Sequence, residues 1–209
     1  MISIQEPTTP KLSNDSDFAI YDYRYCHDMY DKIYYAKGDE NLKEDMLKHS
    51  STTKANLKLA GDIKREFQIE DTKLLTRLQE MLTQHLSRYI RQPITEVNTI
   101  NPTDLMPAWI NYMKPGEYNP PHAHVGIFSF VWYLDIPEEI REEWKNSQGN
   151  VGARGCIQFF SQFVTNSAMH FSPQTNDLFL FSSKHQHQVY PYYSDNTRIS
   201  LAGNIYEYK

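Results

Sequence analysis

The sequence predicts an α+β, mainly β protein whose second half is a sandwich or jelly roll. Three observations point there. Aromatic residues make up 13% of the chain, with 15 tyrosines, and flat rings suit a pleated, half-buried surface. After Pro93 short β-like runs alternate with turn signals. Before Pro93 lies a strongly amphipathic helix, with no return to helical periodicity of that length afterwards.

In chain order, residues 1–17 are rich in Ser, Thr, Asn, Asp and Pro and read as a flexible tail. Residues 18–35 alternate aromatic and polar side chains (Tyr21, Tyr23, Tyr25), and part of this stretch reads as a strand. Residues 36–56 are polar and charged, a surface helix or loop, and a short helix is expected over 57–67. Over 72–92, Leu74, Leu75, Leu78, Met81, Leu82, Leu86, Tyr89 and Ile90 form one face at helical spacing. Asp71 or Thr72 can cap its start, Arg88 and Arg91 occupy its last turn, and Pro93 stops it. Strands are expected at 108–113, 127–134, 155–160, 168–171, 177–181, 188–192 and 198–206, packed closely enough for a sandwich or jelly roll. The charged insert 138–148 reads as a short helix or lid. The organisation expected is thus a tail (1–17) and a single domain (18–209), in which an N-terminal strand and helices (18–95) precede the β core (96–209).

Composition narrows the partners. The net charge is −5, with 21 Lys and Arg against 26 Asp and Glu, so the basic stripe of a duplex-binding protein is missing. A local groove for single-stranded nucleic acid stays open. Cys26 and Cys156 form neither a CxxC nor a disulfide framework, which fits reduced thiols. No apolar run approaches the roughly 18 residues of a membrane span. The polar N-terminus lacks the apolar stretch of a signal peptide. A soluble, cytoplasmic protein is expected.

Chemistry concentrates in two HxH pairs, His122 with His124 and His185 with His187. On a strand, residues i and i+2 share a face, so an HxH aims two imidazoles at one point. A third ligand from a distant strand would complete a facial set that leaves metal positions open. A lone HxH in a loop is ordinarily surface decoration. Here both pairs lie at strand edges, the first before 127–134 and the second after 177–181, where a jelly roll can gather a metal site.

These stretches resemble the Fe(II)/2-oxoglutarate oxygenase superfamily, in particular its prolyl-hydroxylase-like branch and the oxygenases often encoded by phages. Tyr112, Pro115, Gly116 and His122 follow the family's order of strand tyrosine, Pro-Gly and first metal histidine. Trp132-Tyr133-Leu134, the run from Leu178 to Phe181, His187 with Val189 and Pro191, and Arg198-Ile-Ser200 complete it. The resemblance covers about residues 105–206. It implies a double-stranded β-helix (jelly roll) with N-terminal helices bracing one sheet. It implies Fe(II) held by His122 and His187, with His185 a surface or supporting residue. It also implies 2-oxoglutarate as cosubstrate, its distal carboxylate on Arg198 with hydrogen bonds from Ser200 and Tyr112; a planar guanidinium suits a carboxylate better than an ammonium does. The implied reaction decarboxylates 2-oxoglutarate to succinate and CO2 and hydroxylates a C–H bond. If the gene is a phage's, the cytoplasm is the host's.

The chain departs from the family where His-x-Asp/Glu is usual, because that position is His124. His124 is expected as third ligand, the metal then keeping its full +2 charge. The alternatives are a carboxylate from Glu117 or Asp135, with His124 merely lining the site, or loss of activity. Gly116-x5-His122-x-His124 also resembles the opening of the cupin motif, although the acid that follows it in cupins is absent from Val125 to Trp132. A three-histidine metal dioxygenase without 2-oxoglutarate is therefore the main variant. A non-catalytic jelly roll that is structural or partner-binding is the reading from a different class. Trp109, Phe128, Phe130 and Trp132 serve as core or as pocket lining. Peptide, nucleobase and small metabolite all remain possible substrates, and neither substrate nor oligomeric state is legible.

Overall fold

In the computed structural model of the protein, the described residues are 10–12, 16–21, 32–55, 59–103, 105–143, 153–161 and 168–209. The strands are β1 (Phe18–Tyr21), β2 (Ile33–Lys37), β3 (Glu66–Gln68), β4 (Val97–Asn98), β5 (Trp109–Met113), β6 (Asn119–His122) and β7 (Phe128–Asp135), followed by β8 (Ile157–Phe160), β9 (Ala168–Phe171), β10 (Asp177–Ser182), β11 (His187–Val189), β12 (Arg198–Ile205) and β13 (Glu207–Tyr208). The helices are α1 (Glu40–Lys48), α2 (Thr72–Ile90) and α3 (Glu138–Glu142). A seven-stranded sheet runs β1-β2-β10-β7-β12-β5-β3, and a four-stranded sheet runs β6-β11-β8-β9. The pairings are antiparallel, and β4 with β13 forms a separate ribbon. This is the two-sheet jelly roll that the strand spacing predicts.

Period-two alternation divides the larger sheet into two faces. On β10, Leu178 and Leu180 join a core with Leu78, Leu82 and Leu86 of α2, whereas Phe179 and Phe181 join a second core with Phe159 and Phe171 of the smaller sheet. On β7, Phe128, Phe130, Trp132 and Leu134 face the helix, and Tyr133 faces the smaller sheet. The helices therefore brace the outer face of the larger sheet, and the inner face is left to build a site.

Asp71 caps α2, its carboxylate accepting from the backbone N–H groups of Lys73 and Leu74, and Arg91 in left-handed conformation closes the helix. The expected helix over 57–67 does not form among its described residues: 59–65 are bends and irregular loop, and Glu66–Gln68 is strand β3, paired with Trp109–Asn111 of β5. β6 reads as a loop in sequence because of Pro120 and Pro121. It is tolerated as a strand because it lies at the edge of its sheet. From the expected tail, residues 10–12 lie against the molecule, with the backbone N–H of Lys11 donating to the Tyr21 hydroxyl at 3.0 Å. The insert 138–148 begins as α3; its remainder from 144, the tail outside 10–12, 16 and 17, and Cys26 lie outside the described residues. Among the described residues no helix is long and apolar enough to cross a membrane.

Candidate metal centre

The three expected histidines converge. His122 ends β6 and His187 begins β11, and the two are directly opposite across that strand pair. His124 follows in the turn after β6, held by its backbone N–H donating to the Ser183 carbonyl at 2.8 Å. Gly126 permits that turn at φ +101, where an added Cβ would meet the Ile205 carbonyl at 3.0 Å. Ring centroids are 4.3 Å apart for His122 and His187, 4.8 Å for His122 and His124, and 5.1 Å for His124 and His187. One nitrogen from each ring lies within 4.8 Å of the others.

Backbone carbonyls fix two of the tautomers. His122 Nδ1 lies 2.7 Å from the Pro120 carbonyl and His187 Nδ1 3.0 Å from the His185 carbonyl. A carbonyl can only accept, so each Nδ1 carries the proton and each Nε2 keeps its lone pair. Burial, ahead of other causes, holds all three imidazoles below their ordinary basicity, His124 down to about 3 and His187 well below the usual range. The rings are thus neutral donors near neutral pH. This set fits a divalent ion that accepts imidazole and needs open positions. Glu117 and Asp135 do not join the cluster. The Glu117 carboxylate instead accepts from the backbone N–H groups of Lys64 (3.3 Å) and Lys114 (2.9 Å).

Arg198 begins β12 and points into the same cavity, which the three histidines also line. It is 3% exposed. Its guanidinium donates to the Gly155 carbonyl at 2.9 Å and lies 2.7 Å from the Met113 sulfur. It also sits over the Tyr133 ring at 5.6 Å. Gly155 takes φ +71 at that turn, with its would-be Cβ 3.0 Å from Ile140. Tyr192 pins the approach to β12: its hydroxyl donates to the Met113 and Asn196 carbonyls and accepts from the Arg198 backbone N–H. The Arg198 Nε is buried without a partner, and among the described residues no carboxylate pairs with this cation. A buried guanidinium with an idle N–H fits an incoming carboxylate such as that of 2-oxoglutarate.

Ser200 also lines the cavity, its hydroxyl accepting from Asn111 Nδ2 at 3.3 Å. Tyr112 is not brought there. The alternation that turns Asn111 and Met113 inward turns Tyr112 to the helix-side face, where it packs edge-on against Phe67 and under Arg65. Tyr133 takes the inward place instead, with its hydroxyl buried and unpartnered. His185 is fully buried against Phe159 rather than at the surface. Among the aromatics, Trp109 lines the cavity, Phe130 borders it from the helix-side core, and Phe128 and Trp132 are core. Sequence reasoning overlooked Asn111, Tyr133 and Glu66. Counting in steps of two from Trp109 would have found Asn111; nothing signalled Glu66, whose segment reads as helix.

Residues 107–204 match the profile of a family described as "Putative 2OG-Fe(II) oxygenase". No curated protein matches the chain. Solved structures with a similar course include a prolyl hydroxylase from Trichoplax adhaerens in complex with a hypoxia-inducible-factor peptide fragment (13% identity, covering 92% of this chain and 84% of that one, TM-score 0.48). A Pseudomonas putida prolyl-4-hydroxylase is 12% identical over 92% of this chain and 94% of that one, TM-score 0.49. A Burkholderia pseudomallei oxidoreductase of the 2OG-Fe(II) oxygenase family is 16% identical over 82% and 66%, TM-score 0.47. Likeness at this level bears on neither substrate nor site residues.

Proposed function

We propose, from the match of residues 107–204 to the 2OG-Fe(II) oxygenase family model, whose members use Fe(II) and 2-oxoglutarate, that this chain is an enzyme that hydroxylates a C–H bond with a three-histidine iron site. His122, His124 and His187 hold the iron, and Arg198 with Ser200 holds the distal carboxylate of 2-oxoglutarate. Tyr133, rather than Tyr112, is the tyrosine beside that carboxylate. The observation that carries this reading is the buried Arg198 guanidinium, with an unpartnered Nε, in one cavity with three neutral imidazoles.

Bound iron and 2-oxoglutarate would supply the oxidising chemistry, in which substrate, 2-oxoglutarate and dioxygen become hydroxylated substrate, succinate and CO2. The chain's own work is positioning. The carbonyls of Pro120 and His185 hold two ligand rings in the tautomer that presents Nε2. Gly155, Met113 and Tyr133 hold the guanidinium, so that its free N–H meets a carboxylate without rearrangement. Phe181, Ile157 and Trp109 line the cavity with apolar surface that excludes water.

Anaerobic titration of Fe(II) with and without 2-oxoglutarate tests the proposal. A weak visible charge-transfer band is expected when both are present, and it should disappear when His187 is replaced by Ala. Iron binding indifferent to 2-oxoglutarate would instead favour the cupin-like alternative. Absence of iron binding would favour a non-catalytic jelly roll.

A further inference from the structure

The cavity that the three histidines and Arg198 line has a volume of about 50 Å³. Pockets that enclose a small-molecule ligand commonly measure about 300–1,000 Å³. A cosubstrate and a substrate cannot share so little room, so part of the wall has to move. Much of that wall is paired strand: Trp109 and Asn111 on β5, Val131 and Tyr133 on β7, His187 and Val189 on β11. Leu59, Ala60 and Ile63 also line it, and they belong to the irregular segment 59–65. This segment runs into β3, at one edge of the larger sheet. It is hydrogen-bonded to residues 117–119, where β6 begins at the edge of the smaller sheet. It therefore spans the mouth between the two sheets.

The C-terminal end of the segment is fixed to β5, the Arg65 carbonyl accepting from the Tyr112 backbone N–H at 2.9 Å. Ahead of that point its ties run to one neighbouring turn. The Asp62 backbone N–H donates to the Tyr118 carbonyl at 2.9 Å, and the Lys64 backbone N–H to the Glu117 carboxylate at 3.3 Å. The Asn119 side-chain amide, with its nitrogen turned inward, donates to the Ala60 carbonyl at 2.9 Å. Gly61 takes φ +119, and a Cβ there would collide with that amide. Ala60, Gly61, Asp62 and Lys64 are exposed, whereas Ile63 is buried in the same core as Met113 and Tyr133. Local ties of this kind open more readily than strands paired on both sides. We propose that residues 59–64 are a strap that lifts from 117–119, withdraws Ile63 from the cavity, admits the organic molecules and closes over them. That those molecules are 2-oxoglutarate and a substrate rests on the oxygenase reading; the motion itself does not.

A reversible staple tests the strap. A Cβ on Gly61 would lie 2.9 Å from Asn119 Cγ, where a cysteine at 119 would carry its sulfur, so Gly61→Cys combined with Asn119→Cys can close a disulfide. The probe is diethyl pyrocarbonate, which acylates imidazoles and is too large for the closed cavity. It is added to the metal-free full-length chain, and peptide mass spectrometry follows His122, His124 and His187. The oxidised double variant is expected to be acylated there at least tenfold more slowly than the same chain reduced and desalted. A side chain at the Gly61 φ strains the closed form, which loosens the reduced strap and widens the contrast. The wild-type chain, with its own Cys26 and Cys156, should not respond to the oxidant. Asn119→Ala removes a tie without adding bulk and should speed acylation several-fold. In the iron-loaded chain the staple should slow the rise of the charge-transfer band after mixing with 2-oxoglutarate by a similar factor. Equal acylation with the staple open and closed, or in Asn119→Ala and wild type, overturns the proposal. If the staple slows acylation while the band is missing even in wild type, the oxygenase reading has failed and the strap stands. A band together with acylation indifferent to the staple spares that reading and discards the strap.

Discussion

At the scale of single residues, the site depends on atoms whose alternatives are costly. Arg198→Lys keeps the charge but loses the planar fork over Tyr133. A charge-assisted hydrogen bond is worth about 1.5–3 kcal/mol, and about 1.4 kcal/mol is tenfold in affinity. The 2-oxoglutarate requirement should therefore rise by roughly 10- to 100-fold, with Fe(II) affinity unchanged, as measured by the charge-transfer titration. Glu66 makes a pH prediction of definite sign. Burial raises its carboxyl from the ordinary 4.5 to about 7, so the folded state holds the proton more tightly than the unfolded chain. Its contribution is fully present below pH 4.5 and is lost as pH rises through about 7. Chemical denaturation of Glu66→Gln should show a flatter stability profile across that window, with a gain of at most about 3 kcal/mol at its upper end. His124 acts in the opposite sense. Burial, followed by the nearby His122, lowers it to about 3, so stability falls as pH drops from 6.5 toward that value. Replacing His124 by Asn should reduce this acid sensitivity in the metal-free protein.

At the scale of elements, α2 gives the energetic prediction. Leu78 is fully buried between that helix and the larger sheet. Leu78→Ala should cost about 2–5 kcal/mol in denaturant unfolding, whereas Asp71→Ala, which removes the cap, should cost about 1 kcal/mol. Elements also show what the sequence could reveal. Helix α2 was legible because nineteen residues of one period leave no rival interpretation. The HxH pairs were legible because alternation on a strand is rigid, and β10 was legible as an unbroken apolar run. Tyr112 misled because a family-like order of residues says nothing about phase, and one step along β5 moves a side chain to the opposite face. β3 escaped notice because three residues at a sheet edge carry no period, and their strand state is imposed by pairing with β5. β6 escaped notice because its prolines argue locally against a strand that only its edge position allows.

At the scale of the whole molecule, the two sheets divide the labour. His122 and His187 belong to the smaller sheet, and Arg198 to the larger. The distance between metal and carboxylate anchor is thus set by inter-sheet packing, in which Phe159 is fully buried between Phe171, Phe179 and Phe181 and touches His187. Phe159→Ala should cost about 3–5 kcal/mol of stability. At temperatures where the variant is still folded it should weaken 2-oxoglutarate more than iron, because the histidine pair moves as a unit within its own sheet. Comparing the two affinities in one sample checks this.

The local carbonyl bonds that orient His122 and His187 have a practical corollary. Each ring takes its aim from a peptide group two residues away, so the coordinating nitrogens are preorganised whatever ion arrives. Uncharged imidazoles follow the Irving–Williams order, in which copper, nickel and zinc outrank ferrous iron. Protein eluted from a nickel resin should carry contaminating nickel or zinc by elemental analysis, and should stay inert until it is stripped with chelator and reloaded with ferrous salt in the absence of air.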